Sequence, residues 1–141
     1  MSIKTKIEIA NNSRLLKKAS KELLDTLKAQ HVAEEIVFDI HVGFEEALRN
    51  AMIHGNKLQP DKKVKVEIEI TREEVTIRVE DEGEGFDVSR LPDPTVDENL
   101  LRDSGRGVYL IRYLMDEVRY EKGGRSVVMK KRLKKKHIDG G

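Results

Sequence analysis

The sequence contains no cysteine and no tryptophan, only three phenylalanines, three tyrosines and three prolines, and almost no net charge. Each shortage removes a class of explanation. Without cysteine there are no disulfides, thiolate metal sites or cysteine nucleophiles. With so few aromatic rings there is little material for stacking nucleic-acid bases. Lys and Arg number 27 against 26 Asp and Glu, a formal net charge of +1, whereas a dedicated nucleic-acid binder draws its affinity from uncompensated cations facing phosphates. Direct nucleic-acid binding is therefore not expected. No apolar run approaches the roughly 18 residues that span a bilayer, and the opening Met1-Ser2-Ile3-Lys4-Thr5-Lys6 lacks the apolar stretch of a secretory signal. The expectation is a cytoplasmic protein without membrane association.

What is present is a chain of 141 residues, 38% hydrophobic and 38% charged, which fits one soluble domain. A chain of this size buries roughly 68–70% of the surface its unfolded form exposes, enough for a core without staples. Ile3, Ile7 and Ile9 stand among polar neighbours and predict a first strand. Asn11, Asn12 or Ser13 can cap a helix running to about Gln30 along Leu16, Ala19, Leu23 and Leu27. A second helical pattern runs from about Ala33 to Ile53 through Ile36, Ile40, Phe44, Ala47 and Ala51, stopped by Gly55 and Asn56. Val64 to Ile70 and Val75 to Val79 alternate apolar with polar and predict an antiparallel hairpin with one wet face.

Residues 82–104 carry Gly83, Gly85, Pro92 and Pro94 and show no period; irregular stretches of that length in a small domain are usually functional. A third helix is expected from about Gly107 to Glu117, then a hairpin of Val118–Glu121 and Ser126–Leu133 around Lys122-Gly123-Gly124-Arg125. The order β-α-α-β-β-loop-α-β-β implies an α+β two-layer sandwich, a mixed, largely antiparallel sheet with helices packed on one face. The domain is expected over residues 1–133, with residues 134–141 a basic tail. In the run Lys130-Lys131-Arg132-Leu133-Lys134-Lys135-Lys136 the expected reading is a lysine-protected edge strand followed by a solvated end, and the sharper one a docking surface for an acidic partner.

Three segments carry chemistry. Glu46 and Asn50 lie four apart on the second helix, on one face and about 5–6 Å apart at Cβ. A carboxylate can take a proton, and an amide oxygen is a hard neutral ligand suited to a Mg²⁺ ion that keeps most of its waters. Asp81-Glu82-Gly83-Glu84-Gly85-Phe86 follows the third strand; a carboxylate there can accept from the amino group of a flat heterocycle, and glycines let backbone come close. Ser104-Gly105-Arg106-Gly107-Val108 puts two glycines at a helix start, where free N–H groups attract phosphate. Each has a plain structural reading as well: a solvated helix face, a glycine turn, an ordinary helix start.

Together and in this order, Glu46-x-x-x-Asn50-Ala51-x-x-His54-Gly55, Asp81-x-Gly83-x-Gly85-Phe86-Asp87 and Ser104-Gly105-Arg106-Gly107 resemble the N, G1 and G2 boxes of the Bergerat-type ATP-binding fold shared by gyrase, Hsp90, histidine kinases and MutL. With Leu110-Ile111-x-x-Leu114-Met115-Asp116-Glu117-Val118 added, the likeness is to the bacterial anti-sigma-factor serine/threonine kinase branch, and it spans the chain from the first strand to Leu133.

The resemblance implies ATP and Mg²⁺ as cofactors. By it, Asn50 binds the metal, Glu46 is the general base toward a partner's serine, and Asp81 recognises the adenine amino group. Gly83 and Gly85 shape the adenine pocket, residues 87–103 form a lid over ATP, and Gly105 and Gly107 border the phosphates. Ala51, His54, Phe86, Ser104, Arg106 and Val108 complete the nucleotide-binding set, with His54 ranked below the glycines and Arg106 facing either the γ-phosphate, the partner or solvent. The partners implied are a sigma factor or similar regulator, a STAS-type anti-anti-sigma protein as substrate, and a second copy in a homodimer. Two alternatives stand: a nucleotide-gated protein-binding module of the same fold without significant kinase activity, and an ATPase fragment of a larger machine, which would expect a transducer domain beyond the sheet.

Overall fold

Valine or isoleucine at every second position makes β2 (Lys63–Ile70) and β3 (Glu74–Glu80) strands with one buried and one wet face. A computed structural model describes residues 2–85 and 110–134. Before β2 come β1 (Ile3–Ala10), α1 (Ser13–Ala29) and α2 (Glu34–Asn50), and after β3 come α3, helical over 110–114, β4 (Glu117–Glu121) and β5 (Ser126–Arg132). Of the three capping candidates Asn12 does the work, its side chain accepting from Leu15 N at 2.9 Å. At its other end α1 closes with His31 in the left-handed region (φ 60), while Val32 N reaches back to Leu27 O at 3.2 Å and satisfies a terminal carbonyl.

The five strands stand in the order β1-β2-β3-β5-β4, and every described pairing is antiparallel. The expected two-layer α+β architecture is thus the one observed. Register puts Ile9, Val64 and Val66, then Val79 and Val127, then Ile77 and Met129 on the helix side, where they meet Leu27, Ile40, Phe44, Leu48 and Ile111 in one core. The opposite face is charged and self-paired: Lys4 with Glu69 (3.5 Å), Lys6 and Arg78 with Glu67 (both 3.8 Å), and Glu121 with both Arg78 and Arg119. Such half-exposed pairs add little stability but keep that face wet. At the sheet's rim burial pushes the Tyr120 phenol up to about 12, against the opposing charge of Arg112.

Four expectations are corrected. The strand carrying the basic run, β5, is interior, between β3 and β4, so its lysines do not guard an edge. Lys134, first residue of the expected tail, accepts a hydrogen bond from Ala33 N at 2.6 Å, tying it to the start of α2. The third helix stops short of Glu117, because Asp116 is captured by β5: its N–H donates to Lys130 O (2.9 Å) and its carboxylate accepts from Arg132 N (2.6 Å). Finally, α2 does not continue to Ile53 as a regular helix. It ends at Asn50 and widens into one π-helical turn, Ala51–Gly55, closed by Asn56 N donating to Ala51 O at 2.7 Å.

Candidate functional site

The widened turn carries Gly55 against the turn after β3, and that contact builds the site. Gly55 lies so close to Asp81 that a Cβ on it would sit 2.3 Å from the Asp81 carboxyl carbon, and a Cβ on Gly83 would sit 2.1 Å from the Gly55 carbonyl oxygen. Only glycines allow this contact between the end of α2 and the turn after β3. Gly85 has φ +80, and a Cβ there would sit 2.1 Å from Gly123 O in the β4–β5 turn. The backbone that these glycines admit is the protein's own.

Asn56 fixes the same junction from inside. It is wholly buried; its amide donates to Asn11 Oδ1 (2.9 Å) and Lys63 O (3.0 Å), and its Oδ1 accepts from Glu82 N (2.7 Å). Asn11 in turn donates to Gln59 O and Lys62 O at 2.8 and 2.9 Å. One buried amide thereby joins the ends of β1, α2 and β3 to the start of β2, with its polar atoms satisfied as burial demands. Extra length accommodated in a π turn lets Asn56 reach this position while Asn50 keeps its place on α2, and π turns recur at functional sites for such reasons.

Asp81 is half-buried and accepts from Gly83 N at 2.8 Å. Burial pushes its carboxyl above the ordinary range, against the Gly83 N–H and the charges of Arg125 and Lys62. On α2, Glu46 is half-buried, with Arg49 Nη1 donating to its Oε1 at 2.6 Å and its other oxygen unpartnered among the described residues. Arg49 also lies 3.9 Å from Glu45, whose second oxygen is 2.8 Å from His41 Nε2. Burial raises the Glu45 carboxyl, but Ser20, His41 and Lys17 outweigh it and leave it below the ordinary range. Asn50 is half-buried, and its side-chain amide has no hydrogen-bond partner among the described residues, so its oxygen is available as a hard ligand. No group of three or more His, Asp or Glu able to hold a metal occurs among the described residues.

The structure therefore brings the first two expected segments together as far as Gly85. Glu46 and Asn50 share a face of α2, Ala51 is buried in the π turn, and His54 projects from that turn into solvent. Asp81, Gly83 and Gly85 follow β3. Phe86, Ser104, Gly105, Arg106, Gly107 and Val108 lie outside the described residues, as does the expected lid over 87–103. Sequence reasoning missed three residues. Arg49 is not singled out by its spacing, and Asn56 stands in the pattern only as a helix stop. Lys131 was read as an edge lysine, although the alternation Val127, Met129, Lys131 was a signal that it points to the core.

An α+β sandwich with a polar helix end apposed to a glycine turn at a strand end defines a class, and residues 9–131 match the histidine kinase-like ATPase domain. The chain belongs to that family. It is similar to the anti-sigma F factor of Clostridium novyi (strain NT), 37% identical over 105 residues, 71% of this chain and 73% of that one. It is also similar to serine-protein kinase RsbW of Listeria monocytogenes serovar 1/2a (strain ATCC BAA-679 / EGD-e), 32% identical over 112 residues (74% and 71%), and of Bacillus subtilis (strain 168), 32% over 110 (72% and 68%).

Proposed function

We propose that this chain is an ATP-dependent serine/threonine kinase of the anti-sigma type, working in the cytoplasm on a STAS-type protein partner and binding a sigma factor or similar regulator, as a homodimer. The observation that carries the reading is the junction at Gly55, Asp81 and Gly83, which joins the Glu46–Asn50 helix end to the strand-end carboxylate within a histidine kinase-like ATPase domain. Relatives named anti-sigma F factor and serine-protein kinase support the partner and the reaction. No helix among the described residues is long and apolar enough to cross a membrane.

In this reading Asp81 accepts from the adenine amino group, Gly83 and Gly85 hold the pocket wall, and residues 104–108 border the phosphates. Mg²⁺, when bound, neutralises charge on the phosphate oxygens, and the partnerless Asn50 oxygen fits it as the one protein ligand proposed here. Arg49 orients the Glu46 carboxylate through Oε1, and Oε2 faces the incoming hydroxyl. The serine O–H proton passes to Glu46 as the serine oxygen forms its bond to the γ-phosphorus; the bond from that phosphorus to the bridging oxygen breaks, and ADP leaves with the electron pair.

Transfer of radiolabelled phosphate from ATP to a STAS-type partner serine tests the reading. Glu46→Ala should lower that rate by about 10²–10⁴-fold, the range a general base supplies, while leaving ATP binding intact. An unchanged rate would remove Glu46 as the base. ATP binding by wild type with no transfer to any partner serine would make the chain a nucleotide-gated binding module instead.

A further inference from the structure

Two carboxylates flank Arg49 on α2, and they differ in what holds them. Glu46 has Arg49 Nη1 on its Oε1 at 2.6 Å and no second partner among the described residues. Glu45 is held from several sides. Its Oε2 lies 2.8 Å from His41 Nε2 and its Oε1 3.9 Å from Arg49 Nη2, while Ser20 and Lys17 of α1 face the same carboxylate. Burial opposes its charge, but these neighbours keep it below the ordinary carboxylate range. The Glu45 side chain is 15% exposed against 44% for Arg49, so the guanidinium meets a fixed negative charge at one end and a singly held one at the other.

Spacing on the helix produces this arrangement. His41, Glu45 and Arg49 recur every four residues in one row along α2, and Glu46 lies three residues before Arg49 on its other side. Ion pairs on an exposed helix face add little stability, so the row is not explained by it. What the row supplies is orientation. An arginine paired with Glu46 alone would swing with it, since ordering a long exposed side chain costs entropy that one surface pair does not return. The guanidinium is planar and its ends are fixed relative to each other, so turning Nη2 to Glu45 leaves Nη1 aimed at Glu46. Aim matters at this position, because a general base must stand within about 2.6–3.2 Å of the group it deprotonates. Misplacement by about 1 Å can cost about 10²-fold in rate.

We infer that Glu45 is a positioning residue for phosphotransfer, which through the forked Arg49 guanidinium fixes the Glu46 carboxylate and keeps its Oε2 turned to the incoming hydroxyl. Its role rests on the reading of Glu46 as the base, which it deepens. Glu45 itself touches neither the acceptor nor the nucleotide in this role; it acts through Arg49.

Two measurements on the full chain test it. Nitrogen-15 exchange spectroscopy without ligand reads how fast the two Nη groups of Arg49 interchange. Interchange should be about tenfold slower than at the exposed Arg14 and should rise to the Arg14 rate in Glu45→Gln. An Arg49 as fast as Arg14 in wild type, or one that Glu45→Gln leaves unchanged, would overturn the fork. The second measurement is single-turnover transfer from Mg²⁺ and ATP to the STAS-type protein that wild type phosphorylates. The rate should fall about tenfold in Glu45→Gln and in Arg49→Met, inside the loss that a misplaced base allows. Arg49→Lys should not restore it, since an ammonium cannot hold both carboxylates in one plane. ATP affinity by calorimetry should stay at the wild-type value in every variant, a split that general loosening of the fold does not produce. On the Arg49→Met background Glu45→Gln should cost nothing further, because its effect passes through the lost guanidinium. Wild-type transfer in Glu45→Gln or Arg49→Lys, additive losses, or a parallel fall in ATP affinity would each overturn the positioning role. Should Glu45→Gln not fold, Arg49→Lys carries the same comparison. Glu46→Ala, run alongside, separates the two ideas. Wild-type transfer in that variant, or no transfer by wild type to any STAS-type protein, would sink the base and the role of Glu45 with it. A loss there beside an unaffected Glu45→Gln would sink the role of Glu45 alone.

Discussion

Asp81 sets its proposed binding role against the stability of the protein that carries it. Its carboxyl is pushed upward by burial, so its folded value exceeds its unfolded one. Protonation therefore favours the fold: the contribution is complete below the unfolded carboxyl range and is lost as pH rises through the folded value. At neutral pH the ionised group is a local liability, which the proposed role as acceptor for the adenine amino group would account for. Asp81→Asn should raise the thermal midpoint at pH 7 and flatten the decline across the carboxyl range. It should also weaken ATP binding by roughly tenfold or more, since a donor then faces a donor. Equal ATP affinity in variant and wild type, measured by calorimetry, would remove Asp81 from the adenine pocket. Asn50 offers the complementary case, a half-buried amide that no described residue satisfies, which leaves its oxygen free for the proposed metal.

Where α2 meets the turn after β3, the structure depends on one amide. Asn56→Ala would leave Glu82 N, Lys63 O and Asn11 Oδ1 without their partner, and each buried group left unsatisfied costs about 1–3 kcal/mol. Urea unfolding should show a loss of at least that size, and ATP affinity should fall with it because the Asp81 turn loses its support. A loss below ~0.5 kcal/mol would mean that water replaces the network.

The strands and α1 could be read from sequence because burial on one face imposes a period: two in Val64–Ile70 and Val75–Val79, and three to four along Leu16, Ala19, Leu23 and Leu27. The Glu46–Asn50 pair and the Asp81 turn were legible as spacing. The π turn was not, since one residue of extra width leaves the apolar pattern of α2 almost unchanged, and the Gly55–Asp81 contact that it makes joins residues far apart in sequence. Nor was the place of β5, because alternation says which face a residue occupies and nothing of which strand lies beside it. That is why Lys131 read as an edge lysine when its partners are Leu114 and Asp39.

All five strands and the helices share a single core, with Phe44 wholly buried within it. Loss of one part should therefore be felt by the rest. Phe44→Ala should cost about 3–5 kcal/mol, and unfolding followed by near- and far-ultraviolet circular dichroism should remain one coincident transition. Separate transitions would divide the molecule into independently melting parts. The charged outer face should contribute little to that midpoint, its ion pairs being largely exposed. The strand order also bears on how the protein is made. Chains emerge from the ribosome N-terminus first, yet β5, the last strand described, is the one inserted between β3 and β4. Until Ser126–Arg132 is synthesised, β4 has no neighbour and β3 shows a bare edge beside a hydrophobic face. Completion of the sheet therefore waits for Ser126–Arg132, the strand that joins β4 to everything made before it.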